Sequence, residues 1–135
     1  LKPGLDEFLQ LLKKQHIKIG IATSNSRLLL DAFLDARNLT GCIDAITTSC
    51  DVNKGKPEPD VYLKTAEKLQ VKPEHCLVFE DIPMGILAGK RSGMQVCAIE
   101  DDYSIHLTAE KKALADYYIT DFRQVLDHTY EDLRK

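Results

Sequence analysis

The apolar positions of this chain switch repeatedly between a helical and a strand-like spacing. Leu5, Phe8, Leu9, Leu11 and Leu12 recur at helical intervals. Pro3 suits a first helical turn, and Lys13 and Lys14 suit a C-terminus. Ile17–Ala22 (IKIGIA) is a short apolar strand, followed by a helix over Ser26–Asn38 with Gly41 beyond its end. Asp44–Ser49 reads as a weaker strand, and the glycine and prolines of Asn53–Asp60 mark a loop. A helix over Pro59–Gln70, a strand over Cys76–Glu80, a helix over Pro83–Gly93 and a strand over Gln95–Ile99 come next. The remaining chain predicts a helix over Thr108–Ala115, a strand over Tyr117–Thr120 and a closing helix capped by Asp121.

Strands that are apolar without alternation, and that are separated by helices, indicate a parallel sheet covered on both faces. In such sheets ligands bind beyond the carboxyl ends of the strands. The residues just past each strand are therefore the candidates for chemistry: Thr23-Ser24-Asn25, the loop with Lys54 and Lys56, Glu80-Asp81, and Glu100-Asp101-Asp102.

Each of these stretches has an ordinary reading. Thr23-Ser24-Asn25 and Asp81 can cap the helices that come after them. Loop lysines are usually solvated, and the run at 100–102 reads as a solvated loop. Each of the first three also has a chemical reading. A hydroxyl with backbone N–H groups at a helix start can seat a phosphate. Lys56 precedes Pro57, which holds its backbone extended, and Pro59 stiffens the loop further, so a cation can be fixed over a site. Adjacent carboxylates at a strand end are hard oxygen ligands suited to Mg²⁺. Hydroxyl, fixed lysine and carboxylate pair, in that order along one sheet, make a phosphoryl-handling site.

Composition narrows the field. The chain has 135 residues, long enough for one domain with one core, with 44% hydrophobic and 29% charged residues and a formal charge of -3. No basic stretch or aromatic interleaving suggests nucleic acid, and no apolar run approaches a membrane span. Cys42, Cys50, Cys76 and Cys97 form no C-x-x-C, and the four histidines lack zinc-ligand spacing. These features point to reduced thiols and a cytoplasmic location.

Three segments carry a family resemblance: IGIATSN, GKPEPDVY and FEDIPMGILAGKRSGM. They resemble the second, third and fourth motifs of the haloacid dehalogenase superfamily, in its β-phosphoglucomutase-like and phosphoglycolate-phosphatase-like branch. The likeness runs from PGLDEFLQLLKK to ADYYITDF. It implies an α/β Rossmann-like core, a three-layer sandwich with a parallel sheet. It further implies a Mg²⁺-dependent phosphatase or phosphomutase acting on a small phosphorylated metabolite, a sugar phosphate. By the resemblance, Thr23, Ser24 and Asn25 seat the phosphate, Lys56 rather than Lys54 neutralises it, and Asp81 binds Mg²⁺ with Glu80 beside or behind it. The family's usual Ser after Glu-Asp is Ile82 here.

The family's first motif, D-x-D-x-T/V, carries an aspartate nucleophile and an aspartate acid/base. This chain contains no D-x-D. Residues 1–135 are accordingly expected to be a core domain without its first central strand and helical cap, and inactive alone. In the family that strand lies between those corresponding to Ile17–Ala22 and Cys76–Glu80. An N-terminal segment or a second chain is expected to fill the gap. The alternative function is a non-catalytic binding or interaction module on the same fold. A receiver-like domain lacks a placeable acceptor aspartate, and dinucleotide binding lacks G-x-G-x-x-G.

Overall fold

The computed structural model describes residues 2–24 and 27–134. Its principal elements in chain order are α1 (Leu5–Lys14), β1 (Gly20–Thr23), α2 (Arg27–Ala36), β2 (Ala45–Thr48), α3 (Asp60–Leu69) and β3 (Leu77–Glu80). They continue with α4 (Pro83–Arg91), β4 (Gln95–Ile99), α5 (Thr108–Leu114), β5 (Tyr117–Ile119), α6 (Arg123–Leu126) and β6 (Glu131–Asp132). No helix among the described residues is long and apolar enough to cross a membrane.

The strands run parallel where helices connect them. β1 pairs with β2, Gly20 opposite Ala45 and Thr23 opposite Thr48. β3 pairs with β4, Leu77 opposite Gln95 and Glu80 opposite Ala98. β4 in turn pairs with β5, Cys97 opposite Tyr117.

Alternate residues of these strands enter different cores, which is why the sequence shows apolar runs. Val78, Val96, Ala98 and Tyr118 share one core with Val61, Tyr62 and Ala66 of α3 and Ile86 and Ala88 of α4. Cys97, Ile99 and Ile119 face the other way, with Phe8 of α1 and Phe122. Phe8, Phe79 and Phe122 form an aromatic triad with centroids 5.2–5.6 Å apart. A third cluster, Leu9, Ile19, Leu34, Leu39 and Cys42, joins α1 and α2 to the start of β1. The result is three layers, helices on both faces of parallel sheets.

The sheet is in two parts. β1–β2 form one and β3–β4–β5–β6 the other. Among the described residues no strand pairs with the second edge of β1 or of β3. A cleft of about 810 Å³ lies between them, lined by Ile21 and Ala22, by Val78, Phe79 and Glu80, and by Lys56.

Two expectations fail. Pro3 lies in a turn before α1, because Gly4 adopts a left-handed φ of 83° and the helix begins at Leu5. The long closing helix is not formed. α6 is four residues long, His128 takes a φ of 61°, and Glu131–Asp132 pairs antiparallel with Tyr117–Tyr118. Strand pairing, the Leu133 N–H bonded to Asp116 O, and the edge-on packing of Tyr130 on Tyr117 outweigh a modest helical propensity there. Asp121 does accept the Arg123 N–H at the start of α6.

Candidate functional site

The carboxyl end of β3 delivers two carboxylates in succession, and alternation along the strand sends them to different surroundings. Glu80 points inward and is buried. Its Oε2 accepts from both Lys56 Nζ and the Tyr62 hydroxyl. Lys56 comes from the loop before α3, where the Lys56–Pro57 bond is cis, and Tyr62 from the first turn of α3. The ammonium also lies 5.2 Å from the centroid of the Tyr62 ring. The Lys56 side chain is 15% exposed, so the pair is largely shielded from solvent. Burial first, and then the charge of Glu80, push the Tyr62 hydroxyl well above the usual tyrosine range, so it stays a proton donor. Lys54, by contrast, is exposed.

Room for the Glu80 carboxylate exists because position 85 is glycine. A Cβ on Gly85 would fall within 3.0 Å of Glu80 Cδ and of both its oxygens. The helix α4 starts with Pro83 at an N-terminal position, where the missing N–H is not needed.

Asp81 lies past the end of β3 and is half-buried. Burial, then the like charges of Glu80 and Asp101, hold its carboxyl above the ordinary range. Its side chain does not cap α4. Asp101 and Glu100 are half-buried rather than fully solvated, and Asp101 belongs to the electrostatic surroundings of Asp81. At the end of β1, Thr23 is half-buried and Ser24 exposed. Asn25 lies outside the described residues.

The donor chemistry can be weighed against Mg²⁺. No group of three or more His, Cys, Asp or Glu among the described residues could by itself hold a metal. Glu80 Oε2 is engaged by a lysine and a tyrosine, and Asp81 adds a second hard oxygen donor beside it. Mg²⁺ is commonly held by one or two carboxylates, with waters and substrate phosphate completing the shell. Asp81 fits that role, with the other oxygens supplied from elsewhere.

Tyr62 escaped the sequence reading although it closes the GKPEPDVY segment. Its signal was a tyrosine on a core-facing helical position, which reads as packing alone.

Residues 1–99 match the family model of haloacid dehalogenase-like hydrolases. The validoxylamine A 7'-phosphate phosphatase of Streptomyces hygroscopicus subsp. limoneus is 33% identical over 90% of this chain and 55% of its own length. The β-phosphoglucomutase of Bacillus subtilis is 38% identical over 70% of this chain and 41% of its own. Rhodobacter sphaeroides CbbY, crystallised with xylulose-(1,5)bisphosphate, superposes with a TM-score of 0.83 at 28% identity, over 90% of this chain and 54% of that one. The chain thus spans about half the length of the relatives it matches.

Proposed function

Because the chain belongs to the haloacid dehalogenase-like hydrolases, we propose that it is the core of a Mg²⁺-dependent phosphatase or phosphomutase acting on a small phosphorylated sugar. The observation that carries this reading is the buried Lys56–Glu80–Tyr62 cluster directly beside Asp81. A lysine held in advance in a poorly hydrated site stabilises charge on a transferring phosphoryl group far better than a solvated one. Similarity to a phosphatase, a phosphoglucomutase and a protein crystallised with a sugar bisphosphate supports the substrate class.

Each residue has a role in this reading. Thr23, Ser24 and Asn25 seat the phosphate with hydroxyl and backbone donors at the start of α2. Lys56 neutralises it. Glu80 accepts from Lys56 and fixes the ammonium, and Tyr62 donates to the same carboxylate oxygen. Asp81 contributes an oxygen to Mg²⁺, which supplies Lewis-acid polarisation of the phosphoryl oxygens when bound. The nucleophile is an aspartate outside these residues, forming an aspartyl phosphate. It arrives on an extended segment laid in the cleft between β1 and β3, provided by an N-terminal stretch or a second chain. In this reading residues 1–135 are a core domain to which that strand and a helical cap are added.

The test uses the complete protein. Phosphate release and intramolecular phosphoryl transfer are assayed on a panel of sugar phosphates, with chelator and with Mg²⁺ restored. Turnover that needs Mg²⁺ is expected. Binding of sugar phosphates without turnover would instead identify a non-catalytic binding module on this fold.

A further inference from the structure

We propose that Lys111 is a positioning residue that sets the place of Asp81 through Ser104. The inference rests on the reading of Asp81 as a Mg²⁺ ligand and concerns residues to which that reading gives no part.

Lys111 lies in α5 and its side chain is completely buried. A buried ammonium carries a desolvation cost that an apolar side chain of similar length would avoid. Its Nζ donates to the Ile99 carbonyl at 2.5 Å, at the carboxyl end of β4, and to Ser104 Oγ at 3.2 Å. Ser104 is also buried, and its hydroxyl passes the contact on, donating to the Asp81 backbone carbonyl at 2.9 Å.

The chain of bonds therefore runs from a helix, across the end of β4, to the residue just past the end of β3. Those two strand ends are neighbours, with Glu80 opposite Ala98. Ser104 itself sits at a kink between two helical turns, with φ −120° and ψ 18°.

Charge agrees with geometry. The negative groups that act on Lys111 are Asp81, Asp101 and Glu100, all at this end of the sheet, with Lys2 the opposing cation. Glu80 and Asp81 are thus each served by a lysine from a different element: Glu80 directly by Lys56 from the side of the cleft, Asp81 indirectly by Lys111 from behind. A carboxylate that must meet a small, geometrically demanding ion gains from a fixed backbone. Groups that orient metal ligands typically change affinity 10–100-fold when removed.

The test is Mg²⁺ binding by titration calorimetry to the complete protein, with Asp81→Asn as the control that loses it. Lys111→Met keeps the length and apolar stem and removes the donor. It should raise the Mg²⁺ dissociation constant about tenfold, while leaving KM for a phosphorylated substrate in saturating Mg²⁺ unchanged. Ser104→Ala should shift the constant in the same direction, and the double variant should bind no worse than Lys111→Met.

Wild-type affinity in both single variants would overturn the proposal, whatever their melting temperatures. Additive losses in the double variant would overturn the relay through Ser104. Should Lys111→Met not fold, unchanged Mg²⁺ affinity in Ser104→Ala overturns it alone. A wild-type protein that binds no Mg²⁺ would overturn the reading of Asp81 and this inference with it.

Discussion

Gly85 stands against the carboxylate of Glu80, so close that a side chain on one excludes the present position of the other. Glu80 cannot yield cheaply, since it is buried and its Oε2 is held by Lys56 and Tyr62. Gly85→Ala gains up to ~1 kcal/mol of helical propensity. Forcing the carboxylate aside costs about 1–3 kcal/mol as overpacking and also breaks the Lys56 contact. The variant should have a lower urea midpoint and reduced kcat/KM. An unchanged midpoint and full activity would show that Glu80 has room to move.

Tyr62→Phe removes one donor to a buried carboxylate and keeps the ring in the core. A hydrogen bond to a charged group contributes roughly 1.5–3 kcal/mol, and the loss should be visible in urea unfolding at pH 7. Lys56 still meets Glu80, so kcat/KM should fall less than in Lys56→Ala. Equal losses in the two variants would mean that Tyr62 acts on the substrate itself.

Lys56→Ala in the complete protein should lose about 3 kcal/mol of transition-state stabilisation, as for a single pre-positioned donor. Lys54→Ala should be close to wild type, because that side chain is exposed. Steady-state kinetics on one phosphorylated substrate ranks them, and the reverse order would assign the role to the other lysine.

Asp81→Asn should abolish most Mg²⁺-dependent turnover while stabilising the metal-free protein. Burial, then the charges of Glu80 and Asp101, raise the folded-state pKa of Asp81 above its unfolded value. The folded state therefore binds protons more readily. No penalty from Asp81 exists below the unfolded value, about 3.9. It sets in as pH rises past that unfolded value and is complete once pH exceeds the raised folded value. Metal-free Asp81→Asn should then melt higher than wild type at pH 7, with the difference closing below about pH 4. Added Mg²⁺ should raise the wild-type melting temperature and leave the variant's unchanged.

The cleft between β1 and β3 calls for a strand. Two unfilled edges lined by apolar residues invite pairing with another segment. The 135-residue chain alone should associate, or retain a bound peptide. Light scattering with mass spectrometry of the purified material checks this. A strictly monomeric chain with no peptide and a well-dispersed NMR spectrum would mean that the edges tolerate solvent or close.

Much of the architecture was legible in the chain itself. Gln95–Ile99 forms a strand over the residues its apolar run marks, and Pro83 opens α4 as its position suggests. Such features depend on neighbours a few residues apart, where periodicity and local backbone preference act. The family likeness is local in the same sense, being carried by three short segments. The partition of the carboxylate pair was not legible. Adjacent residues at a strand end look equivalent in sequence, yet Glu80 is claimed by Lys56 and Tyr62, 24 and 18 residues away, while Asp81 is left to other chemistry. Which distant side chain arrives depends on how a loop and two helices settle on the sheet. The C-terminal segment makes the same point in reverse: residues that favour a helix by themselves form a strand because the edge of β5 is within reach. Local chemistry therefore determined the order of elements and the kind of site, and packing between distant elements decided which charges meet. The energy of a buried contact depends on its partner rather than on its neighbours in sequence.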